Sequence, residues 1–198
     1  LAELRGDYAV SPATALFARL RYIDQTYDIV SGGTIRDQSG YTFDVGTSFE
    51  VGNLVRGEVG VGYLTRDFED PDFDSVDGVS VDANVEWFVS PLATVSFSAD
   101  RSLKVAAVAL SPAYISTGAS ARIDYEFRRN IIVSANASYA EDDYEEIDRA
   151  DERTDFGVGA RYLLNRYVGL SADLVRTSSD SVGLDGQPYF KVNKFLVG

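Results

Sequence analysis

Apolar and polar residues alternate along almost the whole chain with a period of two. In "GYTFDVGTSFEV" Tyr41, Phe43, Val45, Thr47, Phe49 and Val51 fall on one side and Thr42, Asp44, Gly46, Ser48 and Glu50 on the other. "GVSVDANVEWFV" sets Val79, Val81, Ala83, Val85, Trp87 and Val89 against Ser80, Asp82, Asn84 and Glu86. "AYISTGASARIDYEF" sets Ile115, Ala119, Ala121, Ile123, Tyr125 and Phe127 against Ser116, Gly118, Ser120, Arg122, Asp124 and Glu126. Successive side chains of a strand point to opposite faces, so this pattern predicts strands, each with one apolar and one polar face. No stretch shows a convincing 3.6-residue period.

Strands are expected at 3–10, 14–25, 40–51, 54–66, 78–89, 93–102, 113–127, 131–141, 153–164 and 168–177, with an eleventh, cut short, at 188–198. Most are ten or more residues long. Strands of globular proteins usually run ~5–6 residues, whereas a strand tilted across a bilayer needs ~9–11. The connections alternate in kind. "SPA", "GNL", "SPL", "RRN" and "NRY" are short and hold no acid; those at 26–39, 67–77, 103–112, 142–152 and 178–187 are longer. The short turns are spaced 41, 38, 38 and 37 residues apart. Propeller blades repeat at ~40–45 residues but pack four short strands into that length. Here two long strands fill it.

The fold class expected is all-β: a transmembrane antiparallel up-and-down β-barrel. Short turns at one end and longer loops at the other match that architecture. Aromatic residues of the apolar face fall near both strand ends, where membrane barrels carry interfacial girdles. Tyr22, Tyr41, Tyr63 and Tyr139 lie toward the long loops, and Trp87, Tyr125 and Phe127 toward the short turns. The apolar face then meets lipid and the polar face lines a lumen. The expected lumen-lining residues are Arg19, Arg21, Asp44, Glu50, Arg56, Glu58, Asp82, Glu86, Asp100, Arg122, Asp124, Glu126, Arg161 and Asp173. A basic residue facing lipid at the midplane would cost ~2–4 kcal/mol. Such a face supports either an open ion-lined channel or a lumen sealed by cross-strand ion pairs.

Charge sharpens this picture. The net charge of −13 resides in two segments. Asp67 to Asp77 holds six acids and no base, and Glu141 to Asp155 nine acids and two bases. Both are expected as solvated loops on the long-loop, extracellular side. Weak divalent cations at 67–77 and 141–155 could bridge carboxylates to lipopolysaccharide phosphates, since hard cations prefer oxygen ligands; no other cofactor is expected. "DPDFDSVDG" fails as a calcium loop, because the positions that require Gly and Glu hold Ser75 and Val81. "GVGAR" at 157–161 lies within a strand and lacks the third glycine of a dinucleotide loop.

The chain contains no Cys, His or Met. That removes thiolate and imidazole metal sites and the His-dependent catalytic triads. No carboxylate has a positioned partner for acid–base work, so no enzyme is expected. The acidic balance argues against nucleic acid as a partner.

Several stretches resemble one family. "FRRNIIVSANASYAEDDYEEIDRADERTDFGVGARYLLNRYVGLSADLV", "WFVSPLATVSFSADRSL" and "KVNKFLVG" are similar to the β-barrel porins often encoded beside exopolysaccharide genes. The resemblance covers most of the chain. It implies a Gram-negative outer-membrane protein with 16–18 strands, of which this chain is the C-terminal portion. On that reading residues 1–198 form one barrel domain, incomplete at both ends. It implies a diffusion pore for polar solutes or saccharides, or an exopolysaccharide export barrel with a periplasmic partner. A sealed scaffold barrel is the third reading. The partners implied are outer-membrane lipid and lipopolysaccharide, with polysaccharide added in the export case.

Overall fold

The computed structural model describes residues 1–26, 37–71, 73–106 and 111–198. The chain runs β1 (Ala2–Ser11), β2 (Thr14–Gln25), β3 (Gln38–Val51), β4 (Val55–Phe68), β5 (Val76–Ser90), β6 (Ala93–Val105), β7 (Ala113–Arg128), β8 (Ile131–Tyr144), β9 (Ala150–Leu163), β10 (Gly169–Val182) and β11 (Phe190–Val197). All eleven pair antiparallel with their sequence neighbours in one sheet, in the order β1 to β11. β1 and β11 do not pair with each other. Every strand expected from the period of two is present.

Local chemistry closes the short turns. In both Ser-Pro hairpins the serine hydroxyl accepts the backbone N–H two residues on, Ala13 to Ser11 and Leu92 to Ser90, each at 3.2 Å. Both turns adjoin a register shift, which increases local twist. Gly52 and Asn53 take positive φ, 55° and 57°, in the β3–β4 turn, as a tight hairpin requires. The Asn165 side chain accepts the N–H groups of Tyr167 and Val168.

The acidic segment corrects the sequence reading. The 142–152 connection is strand for most of its length, because β8 continues to Tyr144 and β9 begins at Ala150. Only residues 145–149 form the tip. The hairpin carries like charges directly opposite each other, Glu141 to Glu152 and Asp142 to Asp151. Such pairs destabilise a sheet, and neighbours offset them here. Arg149 donates twice to Asp151, the Ser181 hydroxyl donates to Asp151, and Leu184 N–H donates to Asp148 at 3.1 Å. The 67–77 connection also shortens, to the residues between Phe68 and Val76. The middles of the connections at 26–39 and 103–112, and Asp72 of the acidic run, lie outside the described residues.

Candidate functional site: the polar face

The sheet inverts the burial of a soluble protein. Phe43 and Tyr63 are 50% and 54% exposed, while Asp44 is 1% and Phe17 3% exposed. Exposed apolar and buried charged residues together mark an apolar surface turned outward. Register partners on adjacent strands point the same way, so the pairing shows which residues share a face. Arg19, Asp44, Gly62 and Ser80 form one row. Glu50, Arg56, Glu86, Ser96 and Arg122 form another. A third holds Gly60, Asp82, Asp100 and Gly118, and a fourth Asp124, Ser134, Gly159 and Asp173. Arg21, Glu58, Glu126 and Arg161 have the same parity. All the charged residues expected on the polar side thus lie on one face. Tyr22, Tyr41, Tyr63, Trp87, Tyr125, Phe127 and Tyr139 lie on the other; Tyr22 and Tyr41 pack with ring centroids 4.9 Å apart.

The polar face is the concave one. The Arg5 guanidinium donates to both Glu58 oxygens, at 2.9 and 2.8 Å, from β1 to β4. Arg19 on β2 reaches Asp82 on β5 at 3.7 Å. Each contact spans three strand spacings, about 14 Å along a sheet. On the apolar face the contacts of Tyr63 with Asp77, Arg101 with Thr117 and Tyr22 with Tyr41 each join neighbouring strands.

Two regions of this face differ in construction. On β1–β5 the side chains form a dense cluster. Asp44 accepts from Arg21 at 2.9 Å, Arg19 at 3.3 Å and the Ser80 hydroxyl at 2.6 Å. Phe17 lies beneath the guanidinium groups of Arg5 and Arg19, 4.3 and 5.5 Å from its ring centroid. Gly46 makes room for that ring: a Cβ there would overlap Phe17 Cζ. Arg66, itself buried, donates to the Tyr41 carbonyl at 3.0 Å and the Thr42 hydroxyl at 3.2 Å. On β6–β10 the same face is floored by Ser96, Ser98, Ser120, Ser134, Asn136, Gly157 and Gly159. Its longer side chains are few, and Arg122 pairs only locally, with Asp124 at 2.7 Å.

Burial also changes along the strand direction. Toward the long-loop end Gln38, Thr42, Leu64, Arg66, Val76 and Ser80 are buried. Toward the short turns Glu50, Arg56 and Asn84 are exposed and border a concavity of about 830 Å³. Sequence reasoning missed Arg5, Phe17 and Arg66 as members of this surface. The parity Phe17 shares with Arg19 and Arg21 was the available signal. Among the described residues no group of three or more acids could hold a metal ion.

A family model described as "Putative beta-barrel porin 2" matches residues 1–198. The chain belongs to that family. Its fold is likewise that of a solved outer-membrane channel, DcaP of Acinetobacter baumannii, with a TM-score of 0.70 at 15% sequence identity. The match covers 98% of this chain and 60% of that one, so the chain spans about 60% of the length of the channel it resembles. No match was found among curated proteins. The sheet is the wall of a transmembrane up-and-down β-barrel of porin type, as the alternation predicts.

Proposed function

We propose that the chain forms most of the wall of a non-enzymatic channel of the bacterial outer membrane, through which polar solutes or saccharides pass along its concave face. The observation that carries this reading is the inverted burial: aromatic and aliphatic residues face outward, and paired charges with serine, asparagine and glycine face the hollow side. Water and charge pairing make such a face cheap inside a barrel and costly against lipid. The β6–β10 region supplies the passage, since small hydroxyl and amide side chains leave room and present hydrogen-bond partners.

A second reading has its own support. The hollow side is open toward the short turns and buried toward the long loops on β3–β5, as suits a barrel loaded from the periplasm, such as a polysaccharide export conduit with a periplasmic partner. Full-length protein in a planar bilayer separates the readings. Steady conductance without any partner supports the channel, and block by a polysaccharide would identify cargo of the second kind. A correctly folded, heat-modifiable barrel that carries no current would sink the open channel and leave the gated exporter or a sealed scaffold. Divalent cations bridging the acids of 67–77 and 141–155 to lipopolysaccharide belong to the same proposal. Chelator sensitivity unchanged after neutralising those acids would remove them from it.

A further inference from the structure

Below an acidic rim of Glu141, Glu152 and Asp180, the outward face of β8–β11 carries two bases among its mostly apolar residues. Arg176 has the parity of Leu170 and Leu174 on β10, and Lys191 is the register partner of Ser178, which shares that parity. Neither makes an ion pair with another described residue. The Lys191 ammonium lies 5.0 Å from the centroid of the Tyr189 ring. In a chain of net charge −13, two exposed and unpaired cations on the apolar face are not accounted for by the concave surface.

They share a setting. Arg176 and Lys191, with Thr154, Phe156 and Ser178, line one cavity of about 600 Å³. Its depth in the wall is fixed by the register. Tyr139 of the long-loop aromatic belt, Thr154, Ser178 and Lys191 are successive partners in one row. Ala137, Phe156 and Arg176 form the next same-face row toward the middle of the wall. Lys191 therefore stands at the level of the interfacial aromatics, where lipid headgroups lie, and Arg176 one same-face row deeper, from where its long side chain can reach that level. Glu152 and Asp180 stand one same-face row farther out, opposite each other.

Below this cavity, and sharing Phe156 and Arg176 with it, runs a groove of about 810 Å³ lined chiefly by apolar side chains. Ala121, Ala135 and Ala137 form its floor, and Ile123, Val158 and Leu174 its sides. These alanines keep the wall low between the larger side chains, which leaves room for a hydrocarbon chain. A pair of cations at headgroup level above an apolar furrow is complementary to one class of molecule, a lipid with an anionic phosphate head.

We propose that this wall binds an anionic membrane lipid, its phosphate held by Arg176 and Lys191 and one acyl chain laid in the alanine-floored groove. The guanidinium and ammonium supply charge-assisted hydrogen bonds to phosphate oxygens, and the Thr154 and Ser178 hydroxyls stand beside them to donate further bonds. The site acts through the outer wall, so it holds whether or not the barrel conducts.

The test uses the full-length barrel, delipidated in detergent and titrated with phosphatidic acid or with diacylglycerol of the same chains. Bound lipid is counted by native mass spectrometry. Wild type is expected to retain phosphatidic acid over diacylglycerol. The double variant Arg176→Gln, Lys191→Gln is expected to lose about tenfold in phosphatidic acid affinity, in keeping with the attraction of basic side chains for anionic lipid. Ala137→Phe, which fills the groove, should lower retention of both lipids. Arg101→Gln serves as control, because Arg101 already donates to Thr117 at 2.7 Å on the same outer face. Heat-modifiable mobility verifies that each variant is folded. Equal phosphatidic acid retention by wild type and a folded double variant would overturn the proposal. So would displacement of the lipid by equimolar inorganic phosphate, which would show an anion site that makes no use of the groove.

Discussion

The concave faces of β1–β5 and β6–β10 are built from the same alternation and reach opposite solutions. On β1–β5 long charged side chains and one phenyl ring fill the space above the sheet, and glycines at 46 and 60 make room for the ring. On β6–β10 the inward positions at mid-strand are mostly small, with longer side chains such as Lys104, Tyr114, Tyr144 and Arg161 toward the strand ends, and Arg122 pairs locally with Asp124. The first region is the more tightly held: Arg5 meets two carboxylates and Arg19 three, across several strands. The second leaves space, since serine and glycine do not reach far from the sheet. A barrel wall can thus hold a densely packed sector and a more open one without any change of secondary structure.

The strongest way to break this contrast is at its most buried charge. Asp44→Ala would leave Arg19 and Arg21 without their shared acceptor. Removing one partner of a buried ion pair costs about 3–5 kcal/mol, because the remaining charge stays desolvated. Denaturant unfolding of the full-length protein from lipid vesicles should show a loss of that order, whereas Asp124→Ala, whose partner Arg122 is half exposed, should cost about 0–1 kcal/mol. Equal losses would mean that the cluster is not the more tightly held sector.

Glycine replacement gives the next effect. Leucine at Gly46 must displace the Phe17 ring and the facing β4 backbone, and overpacking of this kind costs about 1–3 kcal/mol. Leucine at Gly118 meets the Asp100 carboxylate 3.3 Å from the added Cβ and the Tyr139 carbonyl at an ordinary contact of 3.7 Å. That variant should keep its unfolding midpoint yet lower single-channel conductance, because its side chain enters the open sector. Unchanged conductance in a folded Gly118→Leu barrel would count against passage along β6–β10.

Charge offers a third, milder test. Asp82 and Asp100 are register partners on the inner face, flanked by Gly60 and Gly118, and among the described residues Asp82 has one ion partner, Arg19 at 3.7 Å. Two carboxylates left this exposed to a narrow aqueous path raise the local cation concentration. Asp82→Asn with Asp100→Asn should reduce cation over anion preference, read from the reversal potential in a salt gradient, by about twofold. The same substitution at Glu58, clamped by Arg5, should alter stability more than selectivity.

These regions were not equally legible in the sequence. Period two is a local property, so every strand and both faces followed from it, as did the turns signalled by Ser-Pro and by Gly-Asn. The cluster is tertiary. Arg5 and Glu58 are far apart in the chain and meet only because the sheet curves, and no spacing rule encodes curvature. Phe17 breaks the alternation as an aromatic at an inward position, and only its parity with Arg19 signals its place. Arg176 broke it in the reverse sense, a base at an outward position. The acidic hairpin was read as loop because Asp and Glu disfavour strands. It stays paired because Arg149, Ser181 and the β10–β11 connection engage its carboxylates.

That hairpin supplies the smallest effect, and it concerns pH. Glu145 sits at the tip outside the wall, its N–H donating to the Ala113 carbonyl at 3.1 Å. Burial pushes its carboxyl above the ordinary range, and Asp143 and Glu146 push it further in the same direction. A carboxyl with a raised folded-state pKa binds its proton more tightly in the folded tip than in the opened one. Opening then becomes easier as pH rises from the ordinary carboxylate range through the raised value, and the tip is firmest below that window. Amide hydrogen exchange at residues 145–149, corrected for the intrinsic rate, should show opening increase across the window and level off above it. Glu145→Gln should flatten this dependence while leaving the Arg149–Asp151 pair in place. Persistence of the full slope in Glu145→Gln would assign it to the facing acids of β8 and β9 instead, and the tip would then sense pH through repulsion between strands rather than through one buried carboxyl.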